Sequence, residues 1–269
     1  MWLDVSNLRS FYGTALGRLT QDLLCDQINQ LWPDVTGQRI LLIGYGVPLT
    51  KLFTHNAKSL FYLMPKRQGV IHWPSKTSNS ALLSDESSLP FGDNSLDKVI
   101  LLHSIEFTDR PQPMLRDIWR VLGGGGKLMV IAPNRGGLWT RLERTPFGHG
   151  QPYSVQQLIA LLQDTVFMPE RVASALYIPP GSGKLLQHLA RPWEKIGRKY
   201  FRLFSGVILV EAEKRVYSPS TGTTKTKINN PGWQTLPGPS YQEATTSSAS
   251  TPATESRNTP CAPNKLSKG

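Results

Sequence analysis

Apolar positions fall into two alternating periods over the first 216 residues. From Leu16 to Leu31 they recur three and four apart, which predicts an amphipathic helix ending at Trp32-Pro33. Arg39 to Gly44 (RILLIG) is a continuous apolar run, the pattern of a strand buried on both faces of a parallel sheet. Ser59 to Met64 (SLFYLM) predicts a second strand, and Val70 to Trp73 a short further one. Asp97 to His103 (DKVILLH) and Lys127 to Ala132 (KLMVIA) predict two more, separated by a helix over Pro111 to Leu122 and a turn at Gly123 to Gly126. That helix sets Met114, Leu115, Ile118, Val121 and Leu122 on one face.

Beyond the last of these strands, Ser154 to Gln163 predicts a helix with Ser154 as N-cap and Gln157 completing a capping box. Arg191 to Phe204 predicts a basic helix, and Gly206 to Lys214 (GVILVEAEK) a final strand. Strands alternating with helices predict a single α/β domain over residues 1–216. From about Ser218 the chain turns to Ser, Thr, Pro, Gly and Asn. Such a stretch buries too little apolar surface to offset its ordering entropy, so residues 217–269 read as a disordered tail. Trp233 and Tyr241 are the aromatics in it, and a short docking motif there is the lesser alternative.

Charge and cysteine usage narrow the partners. A formal net charge of +11 favours acidic partners such as RNA, anionic lipid or phosphorylated metabolites. The two cysteines, Cys25 and Cys261, are far apart and outside any CxxC or Cys/His cluster. A disulfide framework and a metal site are therefore not expected, and a reducing compartment is. The N-terminus carries Asp4 and lacks an apolar signal core, and no run of about 18 apolar residues occurs. A cytoplasmic protein is expected.

Chemistry enters where the first strand runs into Gly44-Tyr45-Gly46-Val47-Pro48. Glycines there let backbone approach a ligand, and a helix starting near Pro48 would aim its N–H groups at it. A tight turn without ligand is the competing reading.

The block Asp85 to Ala132, DESSLPFGDNSLDKVILLHSIEFTDRPQPMLRDIWRVLGGGGKLMVIA, is more specific. Leu89-Pro90-Phe91, Asp93-Asn94-Ser95, Asp97, Glu106, Pro111, Arg120-Val121-Leu122 and Gly125-Gly126 fall in the order seen in one family. The sequence resembles the type-11 branch of the class I S-adenosylmethionine-dependent methyltransferases over about residues 36 to 135. The resemblance implies a doubly wound, mostly parallel Rossmann-like sheet with an antiparallel final strand. It also implies S-adenosylmethionine as cofactor. Asp85 would accept from the adenine amino group, and the backbone N–H of Glu86 would face the ring. Gly44, Tyr45 and Gly46 would line the methionine and ribose portion, and His103 would border the methionine end. Asp97 reads mainly as a strand-entry residue, and Glu106 equally as a helix-start charge. Phe11 to Gly17 and Tyr177 to Pro180 further resemble a bacterial subset in which the glycine loop is altered.

The sequence departs from that pattern in three places. Leu42 stands where the family carries an acid two positions before the first loop glycine, and Pro48 replaces the third glycine. No Asp or Glu occurs between Asp34 and Asp85, so the carboxylate that would hold the ribose is absent or supplied from elsewhere. The same gap, with Leu49 in the loop, argues against a dinucleotide site, although Lys66 and Arg67 could meet a 2′-phosphate. Gly181-Ser182-Gly183-Lys184 is followed by Leu185 and lacks the spacing of a phosphate-binding loop.

The segment Pro133 to Ser154 follows the fifth main strand, where open α/β sheets bind ligands. Asn134, Arg135, Trp139, Arg141 and His149 are substrate-loop candidates; the alternative makes Trp139 and Phe147 core and leaves the arginines in water. Should the acceptor need a base, His149 and His103 are the candidates. In Arg191 to Phe204, Trp193, Ile196, Tyr200 and Leu203 form an apolar stripe among basic residues, expected to pack on the domain. An anionic membrane or RNA is the alternative contact. The leading functional expectation is methyl transfer to a small or lipid-like acceptor. A degenerate binding or regulatory module comes second, and an RNA methyltransferase, resting on charge alone, third.

Overall fold

A computed structural model describes residues 3–74, 79–180, 192–194, 196–197 and 204–215. All fall in one compact unit, Met1–Trp233; a second, Gln234–Gly269, and the expected tail 217–269 lie outside the described residues.

The elements in chain order are α1 (Val5–Gly13), α2 (Ala15–Leu31), β1 (Arg39–Gly44), the short α3 (Thr50–Phe53), β2 (Ser59–Pro65), β3 (Ala81–Ser84) and β4 (Leu96–Leu102). They continue with α4 (Pro111–Val121), β5 (Leu122–Pro133), α5 (Val155–Asp164), β6 (Phe167–Ala175) and β7 (Val207–Lys214). The seven strands form one sheet in the order β3-β2-β1-β4-β5-β7-β6. β3, β2, β1, β4 and β5 run parallel, and β7 is antiparallel to both β5 and β6. This is the doubly wound, mostly parallel α/β fold.

Period-two alternation along β1 divides the core. Ile40 and Leu42 join one buried cluster with α1, α2, Leu49 and Phe53, while Leu41 and Ile43 join the other with α4 and α5 residues. Both faces of β1 are covered, which is why its sequence is apolar throughout. On α4, Met114, Leu115, Ile118 and Val121 are buried, the face that the spacing predicts. The capping box of α5 is present: Ser154 accepts from Gln157 N, and Gln157 Oε1 accepts from Ser154 N.

Four elements differ from the sequence pattern. Val70–Trp73 is not a strand; the edge position belongs to β3, whose Leu82 and Leu83 remain exposed. Gly123–Gly126 is the start of β5, with a register shift between the Leu96 and Lys98 pairings. β6 is additional, an edge strand whose Pro169 sits at a second register shift. α1 is additional too, capped by Asp4 Oδ1 accepting from Ser6 N at 2.8 Å.

Far from the strand tips, Glu211 on β7 is fully buried between Arg171 and Lys127. Burial alone would raise its carboxyl, but the two cations hold it below the usual range. Arg171 also donates to Leu31 O at 2.6 Å, tying the sheet edge to the end of α2.

Candidate cofactor and active site

β1 and β4 are neighbours although β2 and β3 intervene in sequence, so the chain reverses direction across the sheet between them. A crevice outside the carboxyl ends of the strands at such a point is where open α/β sheets take ligands. Gly44 ends β1 with φ 89°, a left-handed conformation open to glycine, and a Cβ there would run into the Leu102 carbonyl. The N–H of Tyr45 donates to Leu102 O at 2.9 Å. Gly46 has an ordinary φ of −78° and precedes a short 3-10 turn, Val47–Leu49, with Pro48 in its first positions. A Cβ on Gly46 would collide with the Leu42 side chain. The leucine that replaces the family's acid and the second loop glycine are therefore two halves of one packing contact.

His103 follows β4 at φ 53°, a left-handed backbone in a non-glycine residue. Such strain persists only where surroundings hold it. Here the surroundings are specific. The fully buried imidazole has Tyr12 Oη at 2.9 Å from Nε2 and Glu106 Oε1 at 3.3 Å from Nδ1. The other Glu106 oxygen accepts from Ser104 N, so this carboxylate orients the turn after β4 and does not start α4. Gln68 Nε2 donates to His103 O at 2.9 Å. Phe147 packs on the imidazole at 4.7 Å, and Tyr12 stacks on Tyr45 at 5.7 Å. Burial pushes the Tyr12 phenol well above its ordinary value and Tyr45 up to about 12, so both stay neutral. Helix α1 thus covers the tips of β1 and β4 and is anchored at its start by Val5 N donating to Gln68 O.

Beside this covered zone lies a cavity of about 610 Å³ lined by Lys66, Arg67, Asp85, Glu86, Thr108 and Arg110, among others. Asp85, just past β3, is exposed; its Oδ1 accepts from Ser87 N at 2.9 Å and Ser87 Oγ at 2.6 Å, which holds the carboxyl below its usual range. Oδ2 has no such partner among the described residues. Arg67 pairs with Asp109 at 3.0 Å. Gln68, after β2, keeps a buried Oε1 that has no partner among the described residues. A second cavity of about 870 Å³ lies between α1, α2 and the loop after β1, with Arg9, Tyr45, Lys51, His72 and Trp73 in its wall.

The loop after β5 sorts its candidates by burial. Asn134 is buried, its Nδ2 donating to Ser205 O and Oγ, both at 3.0 Å. Trp139 is fully buried, edge-on to Phe147 at 5.6 Å, with Nε1 donating to Ile178 O at 2.8 Å. Arg135 and Arg141 are exposed. His149 places Nε2 at 2.7 Å from Glu143 O. The loop reaches the covered zone through Phe147, which touches both His103 and Phe11. Asp97, at the other end of β4, accepts from Arg39 N and pairs with its guanidinium at 2.9 Å, a strand-entry role.

Residues 44–130 match the family model described as a methyltransferase domain, of type 11. Over those residues the chain resembles the type-11 methyltransferases. Curated proteins include no match to the chain. Among solved structures, a Thermotoga maritima protein described as a possible histamine N-methyltransferase superposes with a TM-score of 0.56 at 18% identity, covering 78% of this chain and 96% of that one. A Haloferax volcanii putative methyltransferase, solved with the Trm112 activator, gives 0.56 at 17% identity, covering 79% and 100%. An Archaeoglobus fulgidus S-adenosylmethionine-dependent methyltransferase gives 0.51 at 17% identity, covering 76% and 96%. At these identities the likeness is one of fold.

The residues gathered here suit S-adenosylmethionine unevenly. A cavity borders Asp85 and Glu86, as a nucleoside would require, while Gln68, after β2, is buried outside its lining. At Tyr45 and His103, the residues expected to border the methionine end, the space is taken by the Tyr12 ring. Gln68 and Tyr12 are not marked in the sequence. Gln68 follows Pro65-Lys66-Arg67 as a neutral side chain, a weaker signal than a carboxylate. Tyr12 carries no local mark of its contact, which spans 91 positions.

Proposed function

We propose that this chain is a cytoplasmic S-adenosylmethionine-dependent methyltransferase acting on a small or lipid-like acceptor. The observation that carries this reading is the methyltransferase match over residues 44–130, with Asp85 and Glu86 in a cavity at the strand tips. Asp85 Oδ2 would accept from the adenine amino group and Glu86 N would face the ring; Gln68 Oε1, buried outside the cavity lining, would reach a ribose hydroxyl only if the cover of α1 shifts. Tyr45 and His103 border the methionine end once the Tyr12 ring has moved off them. The bound cofactor supplies the electrophilic methyl group.

What the protein contributes is alignment and exclusion of water, the main demands of an in-line displacement. α1 and Phe147 close over the reacting end, and the buried Glu106 fixes the His103 ring. If the acceptor must lose a proton, His103 is better placed than His149, since it sits at the tip of β4 beside the cofactor. Arg135, Arg141 and the backbone around Asn134 form the acceptor's entrance; Trp139 supports that loop from within.

A second reading is favoured by the Tyr12 contacts and the missing carboxylate: a domain that keeps the fold and serves as a binding or regulatory module. Incubation with methyl-labelled S-adenosylmethionine, followed by separation of acceptors by class, tests both. Label in small organic or lipid fractions is expected. Label in RNA would overturn the acceptor class, and absence of both transfer and cofactor binding would leave the second reading standing.

A further inference from the structure

The sequence from Arg191 to Phe204 sets its apolar positions on one helical stripe, and such a stripe ordinarily packs inward. Residues 192–194, 196 and 197 are helical and do the reverse. Glu194 faces the domain, 4% exposed, and its Oε1 accepts from Tyr177 N at 2.7 Å. Gly197 is also buried, against the Tyr177 ring. Trp193 and Ile196 are left 48% and 49% exposed. A carboxylate and a glycine form the docking face, and the apolar side chains point to water.

These two do not stand alone. Phe204, Leu138 and Leu142 are exposed as well. The segments bearing all five are tied together: Asn134 to Ser205, Trp139 to Ile178, and Tyr177 to Glu194. β5 ends, β6 ends and β7 begins beside them, since Pro133 and Ala175 both pair with Val207. The apolar group therefore lies at the ligand end of the sheet, on the side of the loop after β5.

Charge identifies the partner. In the sequence, spans 135–144 and 191–204 hold Arg135, Arg141, Arg144, Arg191, Lys195, Arg198, Lys199 and Arg202 against two acids, Glu143 and Glu194. Glu194 is turned inward. Exposed Trp, Phe, Leu and Ile beside the exposed Arg135, Arg141 and Arg144, in spans whose sequence is rich in Lys and Arg, match the boundary between lipid headgroups and acyl chains. RNA suits the group less, because Ile196, Leu138 and Leu142 offer no ring for a base to stack on. Among the described residues no helix is long and apolar enough to cross a membrane, so the contact is at the surface.

We propose that this face docks the protein on an anionic lipid bilayer, with the entrance to the methyltransferase site turned toward the membrane. The inference rests on exposure and charge, and its test reads binding alone, so failure of methyl transfer leaves it untouched. The full chain is sedimented with phosphatidylcholine vesicles containing roughly a third phosphatidylserine, and with phosphatidylcholine alone. Sedimentation with the anionic vesicles, weakened by salt, is expected. Trp193→Ser/Ile196→Ser should lower the partition coefficient about tenfold with an unchanged melting curve. Should that pair fail to fold, Leu138→Ser/Leu142→Ser on the adjoining loop serves instead. No sedimentation with anionic vesicles overturns the proposal, as does a folded double variant that partitions like wild type. Binding of a single-stranded RNA oligonucleotide in place of vesicles overturns it too.

Discussion

The hydroxyl of Tyr12 lies 2.9 Å from Nε2 of His103, joining the first helix to the tip of β4 across 91 positions. Both groups are buried, and the His103 ring is held from its other nitrogen by Glu106. A buried hydroxyl deprived of its partner is costly, so this bond makes α1 part of the domain. The same ring stacks on Tyr45, so α1 covers the two side chains proposed to border the methionine end.

The glycine loop is explained by packing on Leu42. Gly46→Ala is expected to destabilise the domain by about 1–3 kcal/mol, as overpacking of a filled core does, because its Cβ meets Leu42. Leu42→Ala alone should also cost stability by leaving a cavity. Combined, the two changes should cost clearly less than their sum, and thermal unfolding of the three variants checks this. Strict additivity would show that the glycine serves something other than Leu42.

Glu211 gives a pH signature. Its folded carboxyl is held below the unfolded value, so its contribution is complete above the unfolded value and lost as pH falls through the folded one. Glu211→Gln should cost about 2–4 kcal/mol at neutral pH, the lower part of the range because Lys127 and Arg171 are about a third exposed. In denaturant melts the gap from wild type should be full at about pH 6 and narrow below about pH 4. A gap independent of pH would remove the charge from the explanation.

Asp85 is expected to matter to the ligand and not to the fold. It is exposed, and its hydrogen bonds go to its near neighbour Ser87. Asp85→Ala should weaken binding of S-adenosylhomocysteine by about 1.5–3 kcal/mol while shifting the melting temperature little. Equal affinity in the two proteins would take Asp85 out of the site.

The parallel half of the fold was legible because its strands are buried on both faces. RILLIG and KVILL are short, apolar beyond their first residue and rich in Ile, Leu and Val, as central strands are, and α4 shows a clean apolar face. β6 was not legible, since Pro169, Glu170 and Arg171 interrupt it and an edge strand tolerates all three. Within the candidate site, Asp85 and Gly44 stand out by residue type and position. Tyr12 and Gln68 do not, because their roles come from contacts made across the fold. The exposure of Trp193 and Ile196 was likewise invisible: periodicity places residues on a common face and leaves open which face the domain takes.

Calorimetric titration of S-adenosylhomocysteine into wild type and Tyr12→Ala tests most directly that this is a cofactor site with its methionine end under α1. Removing the ring should leave the nucleoside contacts intact and free the space beside His103 and Tyr45. Saturable binding is expected in both proteins, about tenfold tighter or more in a Tyr12→Ala variant that remains folded. Heat from neither protein, with both folded, would contradict the site itself, and tighter binding by wild type would contradict the role of Tyr12 as its cover.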